Sequence, residues 1–143
     1  MLVHMARDNI ITEQVGKQIA IAYEQSHGRQ HVPFTKGEKH HGYDLKTFDE
    51  KTQTFRFIEL KTSRKSHMIN RWLEEHEQNC ILNQPNYFVY YILDINVDTK
   101  IGKVIEFSAT EWQKYYKKIE RKFWYAFPKT TGLDRAITIT LKN

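Results

Sequence analysis

The chain has 143 residues, 40% of them hydrophobic and 13% aromatic, with only six glycines and three prolines; this is the profile of one folded domain with its own core, and it excludes a disordered or fibrous chain. Lys and Arg outnumber Asp and Glu by 22 to 17, a formal charge of +5, which permits attraction to a polyanion but is equally the mark of a solvated surface. Cys80 is the one cysteine, so an intrachain disulfide and a cysteine-built zinc cluster are excluded; with no apolar run near the ~20 residues of a membrane span and no signal-peptide core at the start, a soluble, intracellular (cytoplasmic) protein is expected.

Ile11, Val15, Ile19 and Ala22/Tyr23 recur at helical spacing, which predicts an amphipathic helix from about Asn9 to Ser26, stopped at Gly28, with Asp8, Asn9 or Thr12 as its cap. His31 to Gly42, with Pro33 and two glycines, reads as a connection holding at most a short strand at His31-Val32. Two strands follow, Tyr43–Phe48 and Thr54–Thr62, joined by a polar hairpin loop. A second helix is expected from about Asn70 to Asn83, where Pro85 ends it. Tyr87–Ile95 is continuously apolar and reads as a central strand buried on both faces. A shorter strand at Lys103–Phe107 leads into Ser108-Ala-Thr-Glu111, a capping box opening a helix to about Lys122, and Ala136–Leu141 alternates as a last strand. The order α-β-β-β-α-β-β-α-β implies an α/β domain with a mixed sheet covered by helices.

In Thr54–Thr62 the side chains alternate, so Phe55, Phe57, Glu59 and Lys61 share one face while Arg56, Ile58 and Leu60 share the other. Charges at the end of an otherwise apolar strand are costly unless paired, metal-bound or solvated. Asp44, at the start of the preceding strand, can approach Glu59 if the two strands pair through the polar loop. Two such carboxylates form a hard oxygen site suited to Mg²⁺ or Mn²⁺, to which the Leu60 carbonyl can add a ligand. Lys61 beside them can orient water or offset transition-state charge. The plainer reading of Glu59-Leu60-Lys61 is an exposed cross-strand ion pair.

Gly42-Tyr43-Asp44 followed by Phe57-Ile58-Glu59-Leu60-Lys61-Thr62, with fourteen residues between the two acids, resembles the signature of the PD-(D/E)xK nuclease superfamily. Glu13, Tyr23-Glu24 and Gly28-Arg29 upstream resemble the first helix of its subgroup related to the C-terminal domain of the NO VEIN protein. The resemblance spans about Thr12 to Leu93. Two departures stand out: Tyr43 occupies the place where the superfamily commonly has Pro, and Lys61 runs into Thr62-Ser63-Arg64-Lys65 where the subgroup often has glycine. The resemblance implies a restriction endonuclease-like fold and a Mg²⁺- or Mn²⁺-dependent endonuclease acting on DNA, with Asp44 and Glu59 as metal ligands and Lys61 as the third catalytic group. It also implies that an acid of the first helix, here Glu13, assists at the metal, although on the helical wheel Glu13 lies away from the Ile11/Val15/Ile19 stripe.

Arg64, Lys65 and Arg71 follow the site and can hold phosphates, with solvated surface as the plain alternative. Trp72 and Gln78 can approach the same cleft, though Trp72 reads more simply as a core aromatic. His40-His41 read as loop residues. Lys114, Lys117, Lys118, Arg121 and Lys122 can form a backbone-binding face, or the polar side of an amphipathic helix that packs Trp112, Tyr115 and Tyr116 inward. Alternatives to a DNA nuclease are an RNA-directed nuclease and a catalytically silent nucleic-acid-binding or assembly subunit on the same fold. A homodimer, or a complex with a helicase or specificity subunit, is the expected setting.

Overall fold

The structure is a computed structural model and describes residues 2–38, 41–67, 73–115, 117–119, 124–126 and 132–141. It is a mixed α/β arrangement around a six-stranded sheet. Helix α1 (Leu2–Ser26) is followed by β1 (Arg29–His31), β2 (Leu45–Asp49), β3 (Thr54–Thr62), α2 (Glu75–Asn83), β4 (Tyr87–Asn96), β5 (Ile101–Ser108) and α3 (Ala109–Tyr115); then come β6 (Lys117–Ile119), β7 (Trp124–Ala126), a short 3₁₀ turn and β8 (Ile137–Thr140). The large sheet runs β1-β2-β3-β4-β5-β8, and β6 pairs with β7 in a separate hairpin. Only β3 and β4 run parallel; the other neighbours in the large sheet are antiparallel. Among the described residues no helix is long and apolar enough to cross a membrane.

The sheet separates two cores. On one face α1 lays Val15, Ile19, Ala20 and Tyr23 against Leu45, Ile58, Tyr90, Ile92 and Val104. On the other, Leu73, Ile81 of α2 and Trp112 of α3 pack with Tyr87, Val89, Tyr91, Ile105 and Phe107. Strand β4 supplies both cores, which is why its sequence is apolar without alternation.

Strand β3 occupies the expected residues, and Ser108 and Glu111 cap α3 reciprocally at 3.2 and 3.1 Å. Other expectations are corrected. Helix α1 begins seven residues before Asn9, so Thr12 is no cap; its hydroxyl instead donates back to the Asp8 carbonyl at 2.7 Å. Its inner face runs through Thr12, Val15, Gly16, Ile19, Ala20, Tyr23 and Glu24, whereas Ile11 is 42% exposed. Strand β2 starts at Leu45, two residues later than expected. Helix α2 starts at Glu75, and the first residues of the expected helix, including Arg71 and Trp72, lie outside the described residues. Helix α3 ends at Tyr115, and Lys117–Ile119, expected to continue it, is strand β6. Of the aromatics expected to pack inward from that helix, Trp112 is buried; Tyr116, Arg121 and Lys122 fall outside the described residues.

Candidate metal centre

The site arises where β2 stops and β3 continues. Register pairs Leu45 with Ile58, and the last contacts come from Asp44: its N–H donates to the Ile58 carbonyl at 2.8 Å, and its Oδ2 accepts the Leu60 N–H at 2.9 Å. Beyond Leu60 that edge of β3 has no strand beside it among the described residues. A residue's N–H and C=O point the same way from a strand, so the Leu60 carbonyl is directed at this open edge. Gly42 fixes the entry of Asp44. Its φ is +94°, and a Cβ there would stand 2.7 Å from the His76 carbonyl oxygen of α2, a position that only glycine fills without strain.

Glu59 and Lys61 project from β3 toward the α2 side and are 6% and 7% exposed. Lys61 Nζ lies 2.9 Å from Glu77 Oε1 and 3.5 Å from Glu59 Oε1. With Asp44 beside Glu59, three carboxylates thus gather around one ammonium. Burial first, then the charges of Asp44 and Glu77, push the Glu59 carboxyl up to about 10, and a hydrogen bond between Glu59 and Asp44 adds to the effect. Burial works against the Lys61 ammonium, but the charges of Glu59 and Glu77 outweigh it and hold Lys61 above the ordinary lysine value. The cluster therefore carries more acid than its own lysine offsets.

That surplus is the test of fit for a cation. Among the described residues no three His, Cys, Asp or Glu side chains stand ready-made as a metal cage. The available donors are the carboxylates of Asp44 and Glu59 and the outward Leu60 carbonyl. Two carboxylates with a carbonyl, completed by water, suit Mg²⁺, which keeps much of its hydration shell. The donor set fits a hard divalent ion, and it holds none of the soft ligands that a structural zinc prefers.

A cleft of about 840 Å³ opens over these groups, with Glu13, Lys17, Asp44, Glu59, Lys61 and Glu77 among its walls. Glu13 reaches it because the inner face of α1 is rotated from the one its apolar residues suggest. Gly16, three residues on, lies against the end of β3, so close that a Cβ would stand 2.5 Å from Thr62 Cγ2. Glu13 flanks that contact, at the cleft. A smaller neighbouring cleft of about 360 Å³ shares Glu13 and Thr62 and is lined by Arg64 and Lys65. Arg64 is held there by Thr12, whose hydroxyl accepts its Nε–H at 2.8 Å. Gln78 is turned elsewhere, donating to the Leu73 carbonyl at 2.7 Å. His41 is exposed, and Cys80 is half-buried with its thiol donating to the His41 carbonyl at 2.8 Å.

Glu77 was absent from the residues expected at the site. An acid in the first turn of a helix reads as a cap, and Glu77 does accept the Glu74 N–H at 3.3 Å. The signal lay in topology. A helix joining two parallel neighbouring strands crosses over one face of the sheet, so an inward acid of α2 must meet whatever cation β3 presents on that face.

No curated protein and no solved structure matches the chain. The family profile described as "Protein NO VEIN, C-terminal" matches residues 12–107, a span that runs from the inner face of α1 to the end of β5 and takes in Glu13, Asp44, Glu59, Lys61 and Glu77. With well over half of its length matched, the chain belongs to this nuclease-related family of NO VEIN C-terminal domains.

Proposed function

We propose that the protein is a metal-dependent endonuclease of the PD-(D/E)xK type that hydrolyses phosphodiester bonds in DNA. The observation that carries this reading is the meeting of Asp44, Glu59 and Lys61 at the open edge of β3, under a cleft with surplus negative charge. Asp44, Glu59 and the Leu60 carbonyl would hold Mg²⁺ or Mn²⁺. Such an ion lowers the pKa of bound water and offsets charge on a phosphoryl oxygen.

The chain's own groups do the rest. Lys61 stands within reach of Glu59 and directs its ammonium into the cleft, where it orients the attacking water or meets the charge that builds on the phosphate. The Leu60 N–H holds Asp44 Oδ2 and so fixes the orientation of this carboxylate at the open edge. Glu13 lines the same cleft, where it would orient water around such an ion. Lys17 on one side, and Arg64 and Lys65 in the adjoining cleft, provide cations along which a phosphate backbone can lie. Arg71, expected to join them, is outside the described residues.

The test is cleavage of duplex, single-stranded and branched DNA, and of RNA, with Mg²⁺ or Mn²⁺ and with chelator. Asp44→Ala, Glu59→Ala and Lys61→Ala are each expected to lower the rate by about 100-fold or more with the fold retained. Full activity in Asp44→Ala removes the proposal. Cleavage confined to RNA moves it to an RNA-directed enzyme, and binding without cleavage to a silent subunit.

A further inference from the structure

The reaction as described leaves one strong contact without a task. Glu77, on the first turn of α2, is 8% exposed, and its Oε1 accepts a hydrogen bond from Lys61 Nζ at 2.9 Å. The same oxygen takes the Glu74 N–H at 3.3 Å, which ties the carboxylate to the backbone at the helix start. Behind it α2 is seated by Ile81 in the core with Tyr87 and Tyr91. Glu77 Oε1 is therefore held by both the helix start and Lys61, whereas Glu59, the other partner of Lys61, is the more distant at 3.5 Å.

A lysine ammonium is a compact charge on a flexible four-carbon stem with several rotatable bonds, so a catalytic lysine needs a fixed acceptor to keep it in one place. Glu59 cannot be that acceptor throughout, because the proposed reaction assigns its oxygens to a cation. We propose that Glu77 is a positioning residue that fixes the Lys61 ammonium over the Asp44–Glu59 end of the cleft. This rests on the nuclease reading for its purpose, and on the hydrogen bond alone for its existence. Glu77 does not touch substrate; it acts through Lys61. Carboxylates that orient the groups of a metal site typically contribute about 10- to 100-fold to activity.

The experiment compares Glu77→Ala, which removes the acceptor, with Glu77→Gln, which keeps an oxygen in the same place. Five quantities are read for each: kcat and KM with Mg²⁺, Mn²⁺ affinity by calorimetry, melting temperature, and the ¹⁵N resonance of Lys61 Nζ, assigned by its absence in Lys61→Met. Glu77→Ala is expected to lower kcat about 10- to 100-fold with KM and Mn²⁺ affinity unchanged, and to move the Lys61 resonance to the position of a free lysine. Glu77→Gln is expected to restore most of kcat and the resonance. A Glu77→Ala protein that loses rate, Mn²⁺ affinity and melting temperature together, without rescue by Gln, overturns the proposal in favour of a structural role. A Lys61 resonance indifferent to Glu77 overturns it directly. If wild-type protein cleaves no substrate, the nuclease reading fails by itself, and the resonance decides whether Glu77 holds Lys61.

Discussion

Gly16→Ala tests the contact that brings helix α1, and Glu13 with it, to the candidate metal centre. The added methyl would lie 2.5 Å from Thr62 Cγ2 and 3.2 Å from Ile95 Cδ1, against the ~3.5–4.0 Å at which carbon atoms rest. Thr62 is β-branched and stiff on its strand, so it yields less readily than the tip of a long side chain. Overpacking of this kind costs about 1–3 kcal/mol, while Ala in a helix interior recovers about 0.5–1 kcal/mol over Gly. The net expectation is a loss of about 1–2 kcal/mol, read as a lower urea midpoint at unchanged slope. Thr62→Ser removes the offending methyl and keeps the hydroxyl. Combined with Gly16→Ala it should recover at least about 0.5 kcal/mol of coupling in a double-mutant cycle. The metal titration of the single variant should shift to higher Mg²⁺, because Glu13 moves with the helix. A Gly16→Ala protein about 0.5–1 kcal/mol more stable than wild type, the result that helix propensity alone would give, refutes the close packing of α1 on β3 and the placement of Glu13 that follows from it.

Glu24→Ala should destabilise the protein by about 3–5 kcal/mol in chemical denaturation, since Glu24 is wholly buried and its loss leaves the guanidinium groups of Arg29 and Arg56 short of a partner; a loss below ~1 kcal/mol, typical of exposed pairs, would contradict that burial. Burial alone would raise the Glu106 carboxyl, but the Tyr90 hydroxyl and the charges of Arg56 and Arg29 outweigh it and hold Glu106 below its ordinary value. Its contribution to stability is therefore complete above the unfolded carboxylate pKa and is lost as pH falls through the lower folded value; a Glu106→Gln protein should show a flatter acid limb in stability against pH, and an identical limb would count against the shift. Glu13→Gln should raise the Mg²⁺ needed for half-maximal cleavage without altering the metal-free melting temperature, and an unchanged titration would return Glu13 to the ordinary surface.

Strand β3 was legible residue for residue because a half-buried strand writes its two faces as alternation, and β4 because burial on both faces writes an unbroken apolar run. Asp44, Glu59 and Lys61 followed from β3 and the hairpin before it. Helix α1 was harder to read. Its inner face holds Thr12, Gly16 and Glu24, small or polar residues that look solvent-facing, while Ile10 and Ile11 are exposed. Hydropathy thus pointed to a rotated helix on whose wheel Glu13 lay away from the apolar stripe, and only the family resemblance put Glu13 at the site. Helix α3 ended early because Lys117–Ile119 finds a strand partner in Trp124–Ala126, a pairing that the even spacing of lysines and aromatics does not announce. Tertiary partners outweigh local propensity in both cases.

The same strand carries a second buried ionic cluster, and the contrast between the two separates scaffold from site. Arg56, three residues before Glu59, faces α1 and donates from Nε to Glu24 at 3.1 Å and from Nη2 to the Tyr90 hydroxyl at 2.7 Å and to Glu106. Arg29 adds a bond to Glu24 at 2.6 Å, and the Thr47 hydroxyl adds one at 2.9 Å. There the guanidinium groups of Arg29 and Arg56 meet the carboxylates of Glu24 and Glu106, with Asp49 Oδ2 3.8 Å from Arg29 Nε, β2 covers the backbone on that side, and neither cleft reaches the cluster. Its charges are closed on one another, which serves rigidity. It locks the C-terminal half of α1 to the sheet through Glu24, so the N-terminal half can only project along β3 toward Thr62. At that end β2 has stopped, one ammonium faces three carboxylates, and the imbalance opens onto a cleft. Charges paired with one another inside the fold ask little from outside, whereas an excess of buried acid at an open edge is stabilised only by a proton or a cation. The chain thus uses α1 twice, anchoring it by Glu24 at one end so that Glu13 can stand beside the unbalanced charge at the other.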